Sequence, residues 1–400
     1  MRAGYTLILL LLLCISSAVY SQQDQSLGAA ARRLRAEKAE DSSQLAEPDW
    51  MKHDPQPNHE PISEAQLVAW VLGGVPAEDL VTELRDRGIA FLPSHEFGEL
   101  LRRAGADSGV IEEVAKTERR SSNGSSAEEM AAIARIVADA EAQDDRHAFR
   151  ETAMLLRADS KNPGLYVLIG HLFEKQENWG GMIDAYYRAI QLDRDFAYSH
   201  GRLSLACYNT EQGCAKTEAE KMLALQPRSA DGHKLLGLSY MMVNNAPAAL
   251  AEYQRALSLG PKQADLVYYD IGLTKEMVHD NEGAMAAYRR AIAINPNDWR
   301  GFNALGEAYV QQGNIDEGVL NLRKAKAVAP DRLDIRQNLG AALCNSGRHA
   351  EAITEFEELL QIDPDWNMAR HCLAKSLKAV GRLEEAQKVR DEYNRREGQE

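Results

Sequence analysis

Hydrophobic residues recur at helical spacing through most of this chain, and residues 235–261 show the pattern most clearly. Two amphipathic runs are separated there by a polar turn, and the second run ends at Pro261. Leu236 and Tyr240 are four residues apart, which places them on one face of the first run. Gly237, next to Leu236, is small enough to let two helices approach closely. The stretch therefore predicts a helical hairpin that buries one face.

The same pattern returns at residues 303–330 and 338–364. Prolines end successive copies at intervals of about 34 residues, a period typical of helical solenoids: Pro261, Pro296, Pro330 and Pro364. A hairpin repeated in this way resembles the tetratricopeptide repeat. The resemblance implies an all-α fold, a right-handed superhelix of stacked helix-turn-helix repeats, in which each pair buries its apolar face against its neighbours.

The repeats predict an array of about eight helix pairs over residues 128–400. The third pair is one residue short and has a contracted turn at 211–213. The first pair is degenerate and the last runs into a charged tail, as expected of repeats that cap an array. The predicted pairs occupy residues 128–162, 163–196, 197–229, 230–263, 264–298, 299–332, 333–366 and 367–400.

Residues 61–118 predict a different unit, a small module of four short helices without an assigned function. Ser63 with Gln66 three residues later is a capping-box pattern, and Ser94 and Asp107 precede two further helices. The short run that begins at Ile89 predicts an extended link. A Ser-rich linker over 119–127 with one glycine separates this module from the array.

The first 21 residues have the features of a secretory signal peptide: a basic Arg2, an apolar run over 6–15 and small residues before a cleavage site. The alternative is a retained N-terminal anchor. Residues 22–60 are polar and rich in proline, which predicts a flexible tether. We therefore expect an exported protein, periplasmic or extracellular, without a membrane span after cleavage.

The formal net charge of −14 argues against a nucleic-acid partner, because phosphate backbones require a basic surface. The sequence has no nucleophile elbow, Walker loop, dinucleotide-binding loop or zinc-ligand spacing. The histidines are scattered without an obvious Asp or Cys partner. We therefore predict a protein that is not an enzyme and binds no cofactor or metal.

In tetratricopeptide arrays the first helix of each pair lines the concave side. A fully solvated face should be polar, yet several positions there are apolar in the third to fifth repeats. They predict a groove for an apolar or amphipathic peptide. The alternative is that superhelical curvature buries them against adjacent repeats. The candidate groove residues are Tyr198, Leu205, Tyr208, Lys234, Leu238, Met241, Met242, Tyr269, Leu273 and Met277.

Cys207 and Cys214 flank the contracted turn of the third repeat, at the end of one predicted helix and the start of the next. These positions oppose each other in a helical hairpin, and an exported protein permits disulfides, so the pair is a candidate disulfide. The alternative is two small buried side chains. A bridge between Cys344 and Cys372 is less favoured, because the two positions lie at different heights of successive first helices.

Together these features predict a non-enzymatic scaffold in an extracytoplasmic compartment that binds a peptide or protein on the concave face. One alternative is an accessory or regulatory component of an envelope or export assembly. Another is an enzyme whose activity lies in the module at 61–118, although that segment has no group of residues suited to nucleophilic catalysis.

Overall fold

A computed structural model of the chain describes residues 60–121, 124–157 and 161–397. The described residues form twenty α-helices and no strand. The predicted fold class is confirmed: stacked helix-turn-helix repeats follow a small four-helix module. The predicted signal peptide, and the predicted tether up to residue 59, lie outside the described residues.

Four helices form the N-terminal module: α1 (Glu64–Leu72), α2 (Ala77–Arg87), α3 (His95–Arg103) and α4 (Ser108–Lys116). The described residues that follow form eight helix pairs, here called repeats one to eight. These pairs are α5 (Ala127–Glu141) with α6 (Asp145–Arg157), α7 (Pro163–Lys175) with α8 (Trp179–Leu192), α9 (Ala197–Asn209) with α10 (Cys214–Leu225), α11 (Ala230–Met242) with α12 (Ala246–Ser258), α13 (Ala264–Met277) with α14 (Asn281–Ile294), α15 (Trp299–Gln311) with α16 (Ile315–Val328), α17 (Leu333–Asn345) with α18 (His349–Ile362), and α19 (Asn367–Ala379) with α20 (Leu383–Glu397).

Serine side chains cap two helices of the module. The Ser63 hydroxyl accepts a hydrogen bond from the backbone N–H of Gln66 at 3.2 Å, before α1. The Ser94 hydroxyl accepts one from the backbone N–H of Phe97 at 3.1 Å, before α3. Each bond satisfies an amide donor that the first turn of a helix leaves without an intrahelical acceptor. Both helices therefore begin where the capping residues predict.

The predicted extended link around Ile89 ties three segments of the module together. Isolated parallel bridges join Ile89 to Ile62 before α1 and to Arg119 after α4. The backbone N–H of Arg120 donates to the Ile89 carbonyl at 2.9 Å. The first residues of the predicted linker are thus hydrogen-bonded to the module.

Close packing of the two helices within a repeat depends on glycine in the first helix. A Cβ atom on Gly237 would lie 2.5 Å from the Tyr253 ring on α12, and one on Gly272 would lie 2.2 Å from the Tyr288 ring on α14. Both tyrosine rings are fully buried. In these two hairpins the glycine and the tyrosine ring therefore pack directly against each other, and Gly237 permits the close helix approach that the sequence of 235–261 predicts.

The turn between the two helices of each repeat contains one residue in the left-handed region. Glycine adopts this conformation without steric cost, whereas other residues require compensation from their surroundings. The turn residues follow each other at intervals close to the repeat length: Gln143, Glu177, Glu211, Asn244, His279, Gly313, Gly347 and Gly381.

The chain divides into two compact units, one ending at Leu259 and the other beginning at Gly260. In unit 1 a single hydrophobic core includes residues from Ile62, before α1, to Ala215 on α10. Unit 2 has its own clusters, which include Tyr288 and Phe356. The module therefore shares its core with the first repeats.

Candidate interaction surface

The candidate groove residues of unit 1 lie on the first helices α9 and α11, beside α7. We call this surface the first-helix face of unit 1. It comprises Gly164, Val167, His171, Tyr198, Leu205, Tyr208, Lys234, Leu238, Met241 and Met242.

Helix α1 of the module packs closely against α7. A Cβ atom on Gly164 would lie 2.7 Å from the Gln66 carbonyl oxygen, and one on Gly73 would lie 2.9 Å from the Val167 side chain. Glycine on both sides therefore permits the approach of the two backbones. One part of the first-helix face is thus already occupied by a helix of the same chain.

Aromatic contacts extend this packing to the start of α9. The Trp70 ring of α1 stacks on the Phe196 ring with centroids 4.3 Å apart, and both side chains are fully buried. The Tyr198 hydroxyl donates a hydrogen bond to the Gly73 carbonyl at 3.2 Å, and only 8% of Tyr198 is exposed. The prediction of Tyr198 as an open groove residue is therefore corrected, because the chain itself covers its ring.

Polar contacts hold α2 against the loops that join the repeats. Arg87 forms an ion pair with Asp193, the residue after α8, at 2.5 Å, and both side chains are buried. Near the start of α2, Asp79 accepts a hydrogen bond from the side-chain amide of Gln226, the residue after α10, at 3.2 Å. The module therefore contacts the array through one helix on the first-helix face and a second helix at the repeat junctions.

The rest of the predicted groove in unit 1 is partly open. Leu238 is 6% exposed and belongs to the interior. Tyr208 and Met242 are half-buried and pack against the core. The remaining candidates are also half-buried: Leu205, Lys234 and Met241. The structure thus assigns Leu238 to packing and leaves an apolar, half-exposed surface around it.

The candidates in unit 2 lie on α13. Tyr269, Leu273 and Met277 are half-buried there, and Tyr269 and Leu273 pack against the cluster that contains Tyr288. Burial raises the pKa of Tyr269 well above its usual value, and the negative charge of Asp270 adds to this effect. Tyr269 is therefore a neutral phenol in the physiological range.

Among the histidines that have an acidic partner, two are largely buried, and sequence reasoning missed both pairs. His200 Nδ1 lies 2.6 Å from Glu218 Oε2 in repeat three, and both side chains are buried. His233 Nδ1 lies 2.7 Å from Glu252 Oε2 in repeat four. Each pair joins the first helix of a repeat to the second. The signal was present in the sequence, because both histidines occupy the fourth position of their helix and precede the glutamate by nearly the same interval.

The two cysteines of repeat three are joined in the structure. Cys207 near the end of α9 and Cys214 at the start of α10 form a disulfide with Cα atoms 5.8 Å apart. Cys207 is fully buried. The bridge spans the turn that contains Glu211 and lies directly beside Tyr208. No disulfide joins Cys344 to Cys372 in the part of the chain that the structure describes.

Family models of the tetratricopeptide repeat match residues 280–313, 300–332 and 334–366. The matches at 300–332 and 334–366 coincide with repeats six and seven of unit 2, and the match at 280–313 covers the second helix of repeat five and the first helix of repeat six. The chain is a tetratricopeptide repeat protein. Repeats one to four and repeat eight of this tetratricopeptide array lie outside the matched segments and are identified by the same helix pairing.

Known proteins resemble parts of this tetratricopeptide repeat protein. Protein FlbA of Caulobacter vibrioides is 27% identical over 168 residues, which are 42% of this chain and 28% of FlbA. The peroxisomal targeting signal receptor of Eremothecium gossypii is 35% identical over 82 residues, 20% of this chain and 14% of the receptor. The chain thus spans less than a third of either relative.

Among solved structures, the anaphase-promoting-complex hetero-tetramer Cut9–Hcn1 aligns with a TM-score of 0.50 at 15% identity. The alignment covers 61% of this chain and 48% of that one. This likeness shows a shared tetratricopeptide fold. Within the residues that the structure describes, no helix is both long and apolar enough to cross a membrane.

Proposed function

We propose that this chain is an exported scaffold that binds an apolar or amphipathic peptide segment of a partner protein on the open part of the first-helix face of unit 1. Tetratricopeptide repeat proteins bind proteins or peptides and are in general non-enzymatic scaffolds. The open part consists of the half-buried residues of repeats three and four: Leu205, Tyr208, Lys234, Met241 and Met242.

The observation that carries this proposal is that the same face already holds a helix. On helix α9, Tyr198 is covered by α1. Leu205 lies two turns further along the same side of the helix. The apolar surface therefore continues past the end of α1 onto residues that the module does not bury. Flexible methionine side chains at the end of α11 suit such a surface to partners of varied shape.

The partner segment follows from the chemistry of this surface. The apolar side chains of Leu205 and Met242 favour an apolar stripe on the ligand, while Lys234 favours a carboxylate at its edge. An amphipathic helix with one acidic residue beside its apolar stripe satisfies both. Full burial of one leucine contributes about 1.5–3 kcal/mol, enough for one apolar anchor to dominate the affinity.

The proposed location outside the cytoplasm is supported by the N-terminal residues 1–21 and by the Cys207–Cys214 bridge, since disulfides persist in oxidising compartments. N-terminal sequencing of the protein purified from fractionated cells tests it. We expect a mature chain that begins near residue 22 in the extracytoplasmic fraction. A full-length chain in the cytoplasmic fraction would contradict the location and leave the binding surface to be judged separately.

The binding surface is tested by Leu205→Asp, with Leu225→Asp as the matched control. Leu225 lies on α10 and is 38% exposed, so it carries the same chemical change outside the first-helix face. We expect Leu205→Asp to weaken capture of partners at least tenfold, equivalent to about 1.4 kcal/mol, and Leu225→Asp to leave it unchanged. Circular dichroism must show equal helicity in both variants. Equal capture by both variants would refute the proposed surface.

A further inference from the structure

Three charged side chains meet at the buried interface between the module and repeat two, which we call the seam. Arg87 on α2 lies 2.5 Å from Asp193 and 3.4 Å from Glu83. Its Nε donates to the Glu60 carbonyl at 2.9 Å, and its guanidinium lies 5.5 Å from the centroid of the Trp70 ring. One guanidinium thus forms ion pairs with two carboxylates in a largely buried site.

Buried charges are stable only when they are paired and hydrogen-bonded. Asp193 is 1% exposed, and its Oδ1 atom has no hydrogen-bond partner in the structure. A proton on one of the two carboxylates would neutralise one of their negative charges. It would also add a hydrogen-bond donor to a cluster in which acceptor atoms are in excess. The geometry therefore favours one proton on the two carboxylates together.

The surrounding charges act in the same direction. Asp86 on α2 adds negative charge near Glu83. Asp195, in the same loop as Asp193, and Glu60, in the segment before α1, add it near Asp193. Helix α1 contributes the neutral ring of Trp70 to this site. The acidic surroundings therefore oppose the fully ionised state of the pair.

We propose that Glu83 and Asp193 hold one proton between them while the module is docked, so that acidification strengthens the seam between the module and the array and alkaline conditions weaken it. A loosened seam would uncover the part of the first-helix face that α1 occupies, including Tyr198. The cluster would thereby couple exposure of that surface to the pH of the compartment.

The raised pKa values of both carboxyl groups support this direction. Burial raises the pKa of Glu83 to about 7, with Arg87 opposing the rise and Asp193 adding to it. Burial also raises the pKa of Asp193, against the charge of Arg87. A raised pKa means that the docked state binds more protons than the undocked state. The stabilisation is complete below the unfolded value of the Glu83 carboxyl, near 4.5, and is lost as the pH rises through about 7.

Hydrogen-exchange protection factors of the α1 amides in the full chain test this inference, because they report local opening after correction for intrinsic exchange. Release of one proton on opening predicts that the opening constant rises by up to about tenfold per pH unit between about pH 5 and 7 and levels off above that range. Glu83→Gln, which resembles the protonated acid, should abolish this slope. Glu96→Gln, the same change at an exposed position of the module, should retain it.

Asp193→Asn is the second variant, since the remaining Glu83 can then pair with Arg87 without a competing carboxylate. We expect it also to lack the slope between about pH 5 and 7. Two outcomes would overturn the inference: protection of α1 in the unaltered chain that does not change between about pH 5 and 7, or a slope that Glu83→Gln and Asp193→Asn leave intact.

Discussion

Two stretches of one surface in unit 1 differ in what covers them. On α7 and the start of α9, helix α1 lies against Gly164 and Val167 and buries Tyr198. On the rest of α9 and on α11, the equivalent surface around Leu205 and Met242 is half-exposed. The comparison shows that apolar residues on a first helix do not by themselves indicate an external partner, because the chain can supply one.

The residues at equivalent positions explain why one stretch accepts α1 and the other does not. Gly164 and Val167 on α7 correspond to Asp231 and Lys234 on α11, at the same distances before the glycine that packs on the tyrosine. An aspartate in place of the glycine and a lysine in place of the valine prevent an equally close backbone approach. The open stretch therefore suits a partner with a polar edge rather than a second apolar helix like α1.

The largest expected effect comes from removing the anchor of the covered stretch. Trp70→Ala should lower the free energy of unfolding of unit 1 by about 3–5 kcal/mol, because it deletes a fully buried ring stacked on Phe196. Denaturant unfolding followed by circular dichroism measures the loss.

Leu92→Ala is its control. Leu92 is 71% exposed, so the substitution should change the free energy of unfolding by no more than about 0.5 kcal/mol. A loss below about 1 kcal/mol for Trp70→Ala would mean that α1 is not anchored on the first-helix face.

Substitutions of two leucines in the open stretch distinguish a residue that packs in the core from one that is available for binding. Leu238→Ala should cost about 3 kcal/mol of folding stability, since Leu238 is 6% exposed. Leu205→Ala should cost about 1 kcal/mol, because its half-exposed side chain leaves a smaller cavity. Thermal unfolding of both variants compares them directly. Equal losses would assign Leu205 to the core as well and weaken its role in binding.

The disulfide is expected to contribute less stability than either Trp70 or Leu238. The Cys207–Cys214 bridge has a sequence separation of 7 residues, and closing so short a loop stabilises the folded state by about 2 kcal/mol. Unfolding with and without reductant should differ by this amount, and peptide mapping without reductant should show the linked pair. Mapping that recovers two separate thiols from the native protein would refute the bridge.

The repeat architecture was predictable because it is local. The period near 34 residues, the glycine–tyrosine pairs such as Gly237 with Tyr253, and the capping serines all act within one hairpin or one turn. The repeats share these local features at equivalent positions, so several imperfect repeats together define the register of the array. The predicted start of the second repeat at residue 163 is also the first residue of α7.

The covered surface was not predictable in the same way. The contact between Gly73 and Tyr198 joins residues more than a hundred positions apart, and no period in the sequence relates the module to the array. The pairing of Arg87 with Asp193 has the same cause. Burial of Leu238 depends on how neighbouring first helices pack, whereas the sequence shows that Leu238 lies on the same side of α11 as its half-exposed neighbours.

The most direct test of the central claim places a photo-reactive phenylalanine analogue at either Met242 or His171, in the open and covered stretches respectively. Irradiation is carried out in the presence of the native extracytoplasmic fraction. We predict intermolecular adducts from position 242, and from position 171 an internal crosslink to the module near Gly74. Intermolecular adducts from position 171 without any from position 242 would contradict the account.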